Sequence, residues 1–110
     1  MLQFEVNVSA SDQESRTITG VAVPFNKTAE LNGTTYSFSK GSLAKGRAIT
    51  PLLLDHDTTR PVGVLADLSD GDEGAIATFR VDQTPEGDAA LATAASGSRG
   101  GLSVGVNIVD

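Results

Sequence analysis

Twelve glycines and four prolines cut the 110-residue chain into short apolar runs, and no other feature constrains its fold as much. Punctuation this dense suits many short strands better than a helical bundle. The runs themselves have strand periodicity. Leu2–Val8 alternates apolar and polar residues, and Arg16–Val23 does so again, with Pro24 ending it because proline cannot donate to a ladder. With Ser9–Glu14 as a polar turn between them, the two segments are expected to form a hairpin. Asn32-Gly33 signals a turn inside the loop 26–35, followed by a short strand at Thr35–Phe38. Pro51–His56 is a continuous apolar run ending in polar residues, the mark of a strand covered on both sides. Val62–Leu68 and Ala75–Val81 form a second hairpin around the acidic turn Ser69–Gly74. Leu102, Val104, Val106 and Ile108 alternate along a last strand, with Ser103, Gly105 and Asn107 on its other face.

Helical signals are few. Ser39 caps a turn or two running through Lys45. Thr84, Pro85 and Glu86 open a longer helix as N-cap, first helical residue and dipole-favoured anion, and Gly97 stops it. Leu91, Ala94 and Ala95 give that helix its apolar face. The expected architecture is a small α+β domain that is mainly β, an antiparallel barrel with one or two helices outside it. Residues 1–110 form a single domain in this reading. There is no tryptophan, so Val, Ile, Leu and Ala carry the core, with Phe4, Phe25, Phe38 and Phe79 as large fillers.

Charge and residue usage exclude whole classes of function. Fourteen acidic residues against eight basic ones give a net charge of −6, which repels phosphate backbones and argues against nucleic acid as a partner. Without cysteine there is no disulfide scaffold, thiolate metal site or cysteine nucleophile. With His56 as the sole histidine there is no multi-histidine metal centre, and no cofactor or metal is expected. The sequence has no long apolar run and no basic leader, so neither a membrane span nor a signal peptide is expected, and a cytosolic setting follows.

Two residues could carry chemistry. His56 ends its strand, and an imidazole is the usual general base near neutrality; the bland reading is an exposed or structural histidine. Asp55 and Asp57 flank it, but adjacent strand residues point to opposite faces, so both read as solvated strand-end carboxylates. Ser103 lies on the polar side of its strand between Gly101 and Gly105, which leave room for a substrate backbone. A solvent-side serine explains it equally well, because serine is a nucleophile only with a base in reach. Arg99-Gly100-Gly101 could offer a cation and amides to an oxyanion, or simply link helix to strand. Asp70–Glu73 is too short for an EF-hand loop and reads as a hairpin tip.

Taken in order, the segments resemble the tailed-phage prohead (capsid maturation) serine proteases, which share their fold with the herpesvirus assemblins. Gly20–Phe25 resembles the family's opening strand and Phe38–Leu43 its following turn. Pro51–Asp57 together with Pro61–Val64 resembles the histidine motif, and Gly101–Gly105 the serine motif. Asp82–Gly87 and its helix lie between the last two, so the resemblance covers nearly the whole chain.

The resemblance implies a β-barrel of the assemblin type and a serine endopeptidase with Ser103 as nucleophile and His56 as base. It implies scaffold segments, the major capsid protein and the protease itself as substrates, inside the assembling prohead in the host cytoplasm, with self-association as a further expectation. The family's third triad member and oxyanion loop follow the serine strand, whereas this chain stops at Asp110. On a strand Asp110 would lie on the order of 20 Å from Ser103, which makes it a weak candidate for the third member. Two alternatives therefore stay open. The chain is the N-terminal part of a longer protease or protease–capsid fusion, or it is a capsid- or scaffold-associated module that keeps the fold without catalysis.

Overall fold

The alternating runs do become strands, but the first one divides. Leu2–Val8 splits at Val6 into β1 (Leu2–Glu5) and β2 (Asn7–Asp12), and β2 continues through Ser9–Asp12, where the polar composition predicts a turn. β2 pairs antiparallel with β3 (Thr17–Pro24), so the expected hairpin forms from its second half alone. β4 (Ala29–Leu31) and β5 (Thr34–Tyr36) make a small separate hairpin that turns at Asn32 and Gly33, with φ of 53° and 80°. Then follow β6 (Leu52–Leu54), β7 (Pro61–Asp70), β8 (Gly74–Val81), α1 (Pro85–Ser96) and β9 (Leu102–Val106). The computed structural model describes residues 2–40, 51–96 and 102–106. Most of the helical turn expected after Ser39 lies outside the described residues.

Seven strands form one antiparallel sheet in the order β1-β9-β6-β7-β8-β3-β2. Its two edge strands are consecutive in the chain, separated only by Val6. Laid flat, such edges would stand on the order of 29 Å apart at normal strand spacing. Glu5 and Asn7 flank one residue, which spans about 7 Å at most. The sheet must therefore curl until its edges meet at Val6, and it forms a strongly curled half-barrel, mainly β as expected. Val6 is buried at this junction, and its amide donates to the Leu102 carbonyl at 2.8 Å. Close approach is needed here: a Cβ on Gly20 would collide with the backbone carbonyl of Asn7 on β2.

The inner faces of the strands make one apolar core, in which Ile18, Leu52, Val62, Phe79 and Val104 are wholly buried. Of the four phenylalanines, Phe79 and Phe25 are buried. Phe4 and Phe38 sit at the margin, their rings edge-to-face at 5.9 Å. The helix begins as its cap predicts: Thr84 Oγ1 accepts from the Gly87 amide at 3.0 Å. Its buried stripe is Gly87, Ala90 and Leu91 with Ala94 half-buried, whereas Ala95 is exposed. The stripe thus starts a turn earlier than expected. The reason is close packing: a Cβ at Gly87 would run into the carbonyl oxygen of Asp82. α1 lies against β2, and Arg16 at the end of the β2–β3 turn pairs with Asp88 on the helix at 3.0 Å.

Candidate active site

β9 sits between β1 and β6, and this order places Ser103. Its neighbours across the two ladders are Glu5 on β1 and Leu53 on β6. Leu102, Val104 and Val106 belong to the core, so Ser103 and Gly105 face outward, as the alternation predicts. Outward does not mean wet. Ser103 is 0% exposed, and all five residues of β9 are buried, which corrects the expectation of a solvent-side serine. Its Oγ has no hydrogen-bond partner among the described residues. A buried hydroxyl left unpaired costs about 1–3 kcal/mol and calls for an explanation.

His56 does not end a strand. β6 stops at Leu54, and the chain turns at Asp55 and His56, both with positive φ, 55° and 59°. The Asp57 amide closes the turn by donating to the Leu54 carbonyl at 3.1 Å, the arrangement of a type I′ turn. Glycine is the favoured residue at the second central position of such a turn, and here it is histidine. The His56 residue is exposed.

The flanking aspartates are turned to holding this segment rather than left free in solvent. Asp55 Oδ2 pairs with the Arg60 guanidinium at 3.3 Å. Asp57 Oδ1 accepts from the Thr59 hydroxyl at 2.6 Å and from the Thr59 amide at 2.8 Å. The hydroxyl bond, then the amide bond, with a smaller contribution from Arg60, holds the Asp57 carboxyl below its ordinary value of 3.8. The turn has one further tie that sequence reasoning missed: Gln3 Nε2, on β1, donates to the His56 carbonyl at 3.1 Å. In the sequence Gln3 is one more polar residue in an alternating strand, and no local pattern marks it.

The structure therefore brings Ser103 beside the strand that leads into the His56 turn, with no hydrogen bond between the two side chains. Arg99, Gly100, Gly101 and Asp110 lie outside the described residues, so the oxyanion and third-member candidates have no described position. On the other side of Ser103, Glu5 borders an open cavity of about 390 Å³ lined also by Asn7, Val21, Phe25, Lys27 and Glu73. Among the described residues no group of three or more His, Asp or Glu side chains could hold a metal ion, and no helix is long and apolar enough to cross a membrane.

The family model described as caudovirus prohead serine protease matches residues 3–110. The chain belongs to this family. No curated protein and no solved structure matches it. The prohead protease match runs through the strand of Ser103 and the turn of His56 alike, and it agrees with the resemblance drawn from the ordered motifs.

Proposed function

We propose that this chain is a serine endopeptidase in which Ser103 is the nucleophile and His56 the general base. Its substrates are scaffold segments, the major capsid protein and the chain itself, cleaved inside the assembling prohead in the host cell. Residues 1–110 are read as one protease domain, with Asp110 as the in-chain candidate for the third member. The observation that carries the proposal is the fully buried hydroxyl of Ser103, which has no hydrogen-bond partner among the described residues. A buried hydroxyl held without such a partner points to a chemical rather than a packing role. The left-handed backbone of His56, one strand away, supports the same reading, because strain of this kind collects at functional sites.

The reaction is acyl transfer. The His56 imidazole takes the proton of Ser103 Oγ as the oxygen attacks the scissile carbonyl, then gives that proton to the leaving amine. Water, deprotonated by the same imidazole, cleaves the acyl-enzyme and restores the serine. Because Ser103 is 0% exposed, a substrate carbonyl reaches Oγ only after the residues over it move aside. The test is co-expression with the capsid protein: Ser103→Ala abolishes processing, and a fluorophosphonate probe labels the wild type but not the variant. Continued processing by Ser103→Ala would overturn the assignment.

A second reading keeps the fold and drops the chemistry, making the chain a non-catalytic capsid- or scaffold-associated module. The lack of a hydrogen bond from the His56 side chain to Ser103 Oγ favours it. It predicts stable binding to capsid subunits and no labelling of Ser103.

A further inference from the structure

We infer that Gln3 is a positioning residue for His56. This rests on the reading of His56 as the base and adds how its turn is held. The turn is the weak point of the site, since Asp55 and His56 both occupy the strained left-handed region without being glycine. Such a conformation persists only where surrounding bonds overdetermine it. Most of the ties here are local: the Asp57 amide to the Leu54 carbonyl, Asp57 to Thr59, Asp55 to Arg60, and the Arg60 amide to the Asp57 carbonyl at 3.0 Å. Ties of this kind keep the turn's shape but do not aim it at another strand. The Gln3 bond is different, because its donor stands on β1, on the far side of β9.

The bond runs diagonally: Gln3 is level with Gly105 on β9, whereas the turn follows Leu54, which is level with Leu102. β1 and β6 are two strand spacings apart, roughly 9–10 Å, so the bond forms because the turn carries the His56 carbonyl to 3.1 Å from Gln3 Nε2 rather than leaving it in line with β6. Gln3 opposes Gly105 and Glu5 opposes Ser103, so the Gln3 side chain is on the outward face that carries Ser103. With glycine at 105, no side chain stands directly opposite Gln3 to block its path. The bond therefore spans β9 over the same face and fixes the His56 carbonyl relative to the strand of the nucleophile. Gln3 touches neither substrate nor reacting atom in this role; it acts through His56.

The test compares Gln3→Glu, nearly isosteric but without the donor, and Gln3→Lys, which restores a donor of similar reach. Gln3→Glu should lower kcat for a peptide substrate about tenfold at unchanged KM, with Tm kept, and Gln3→Lys should recover most of the loss. Hydrogen exchange at the Asp57 amide, which reads the turn without needing activity, should quicken about tenfold in Gln3→Glu and return in Gln3→Lys. Unchanged exchange and unchanged kcat in Gln3→Glu would overturn the inference, as would equal loss in both variants. If the wild type is not labelled by a fluorophosphonate, the peptidase reading falls. The exchange experiment then decides by itself whether Gln3 holds the turn, and unchanged exchange overturns that as well.

Discussion

Ser103 stands directly opposite Leu53 in the β9–β6 ladder, and three residues beyond Leu53 the chain reaches His56. Two positions far apart in sequence are thus tied to adjoining strands by register. Both are poor structural choices for the residues they hold. At one, a hydroxyl is buried without a partner among the described residues; at the other, a histidine adopts a conformation that suits glycine. A site that lowers stability locally is the pattern expected where activity and stability compete.

Replacement of Ser103 by alanine should therefore separate the two. Peptide hydrolysis is lost by several orders of magnitude. Stability stays level or rises by about 1 kcal/mol, because an orphaned hydroxyl is removed. Urea denaturation beside a processing assay measures both. A large loss of stability would mean that Oγ has a structural partner after all.

His56→Gly should behave in the same way. Glycine relieves the left-handed strain, at about 1–2 kcal/mol, and gives back roughly 0.5–1 kcal/mol through its freer unfolded chain. The expected result is a protein at least as stable as the wild type and without hydrolytic activity. A clear fall in Tm would show that the imidazole packs or bonds in a way that offsets the strain.

The Asp57 carboxyl links the turn to pH. Its value is depressed in the folded state, chiefly by the Thr59 hydroxyl. The stability it contributes is therefore present above the unfolded value, about 3.9, and lost as pH falls through the lower folded value. Asp57→Asn should be less stable than the wild type near neutrality, and the gap should close on acidification below about pH 4. Thr59→Val should raise the Asp57 value toward normal, measurable by NMR titration. A gap independent of pH would sink this account.

Two packing positions test the fold itself. Gly20→Val would drive a side chain into the Asn7 backbone at the point where the sheet closes, and should cost at least about 2 kcal/mol. Thr84→Ala removes the cap on Gly87, and should cost about 1 kcal/mol. Thermal melts distinguish the two by size; equal and small effects would mean that the β2–β3 approach at Gly20 is looser than described.

Local pattern was enough for much of the architecture. Alternation found β3 and the β7–β9 strands, Asn32-Gly33 found its turn, and Thr84-Pro85 found the start of the helix, because each depends on neighbours within a few residues, whereas β4 at Ala29–Leu31 falls in a segment that reads as loop. Alternation also put Ser103 on the face away from the core. The ordered motifs named the protease family, and the family model agrees.

What the residues could not reveal is everything set by strand order. Leu2–Val8 reads as one strand, yet its halves lie on opposite edges of the sheet, because the curl lets β1 join β9 while β2 stays with β3. Asp-His has none of the glycine that announces a type I′ turn, so the turn at His56 was invisible until Arg60, Thr59 and Gln3 were seen holding it. Burial of Ser103 likewise depends on what stands over the outer face, not on its own strand. Periodicity reports which way a side chain points; only the curled sheet decides what it meets there.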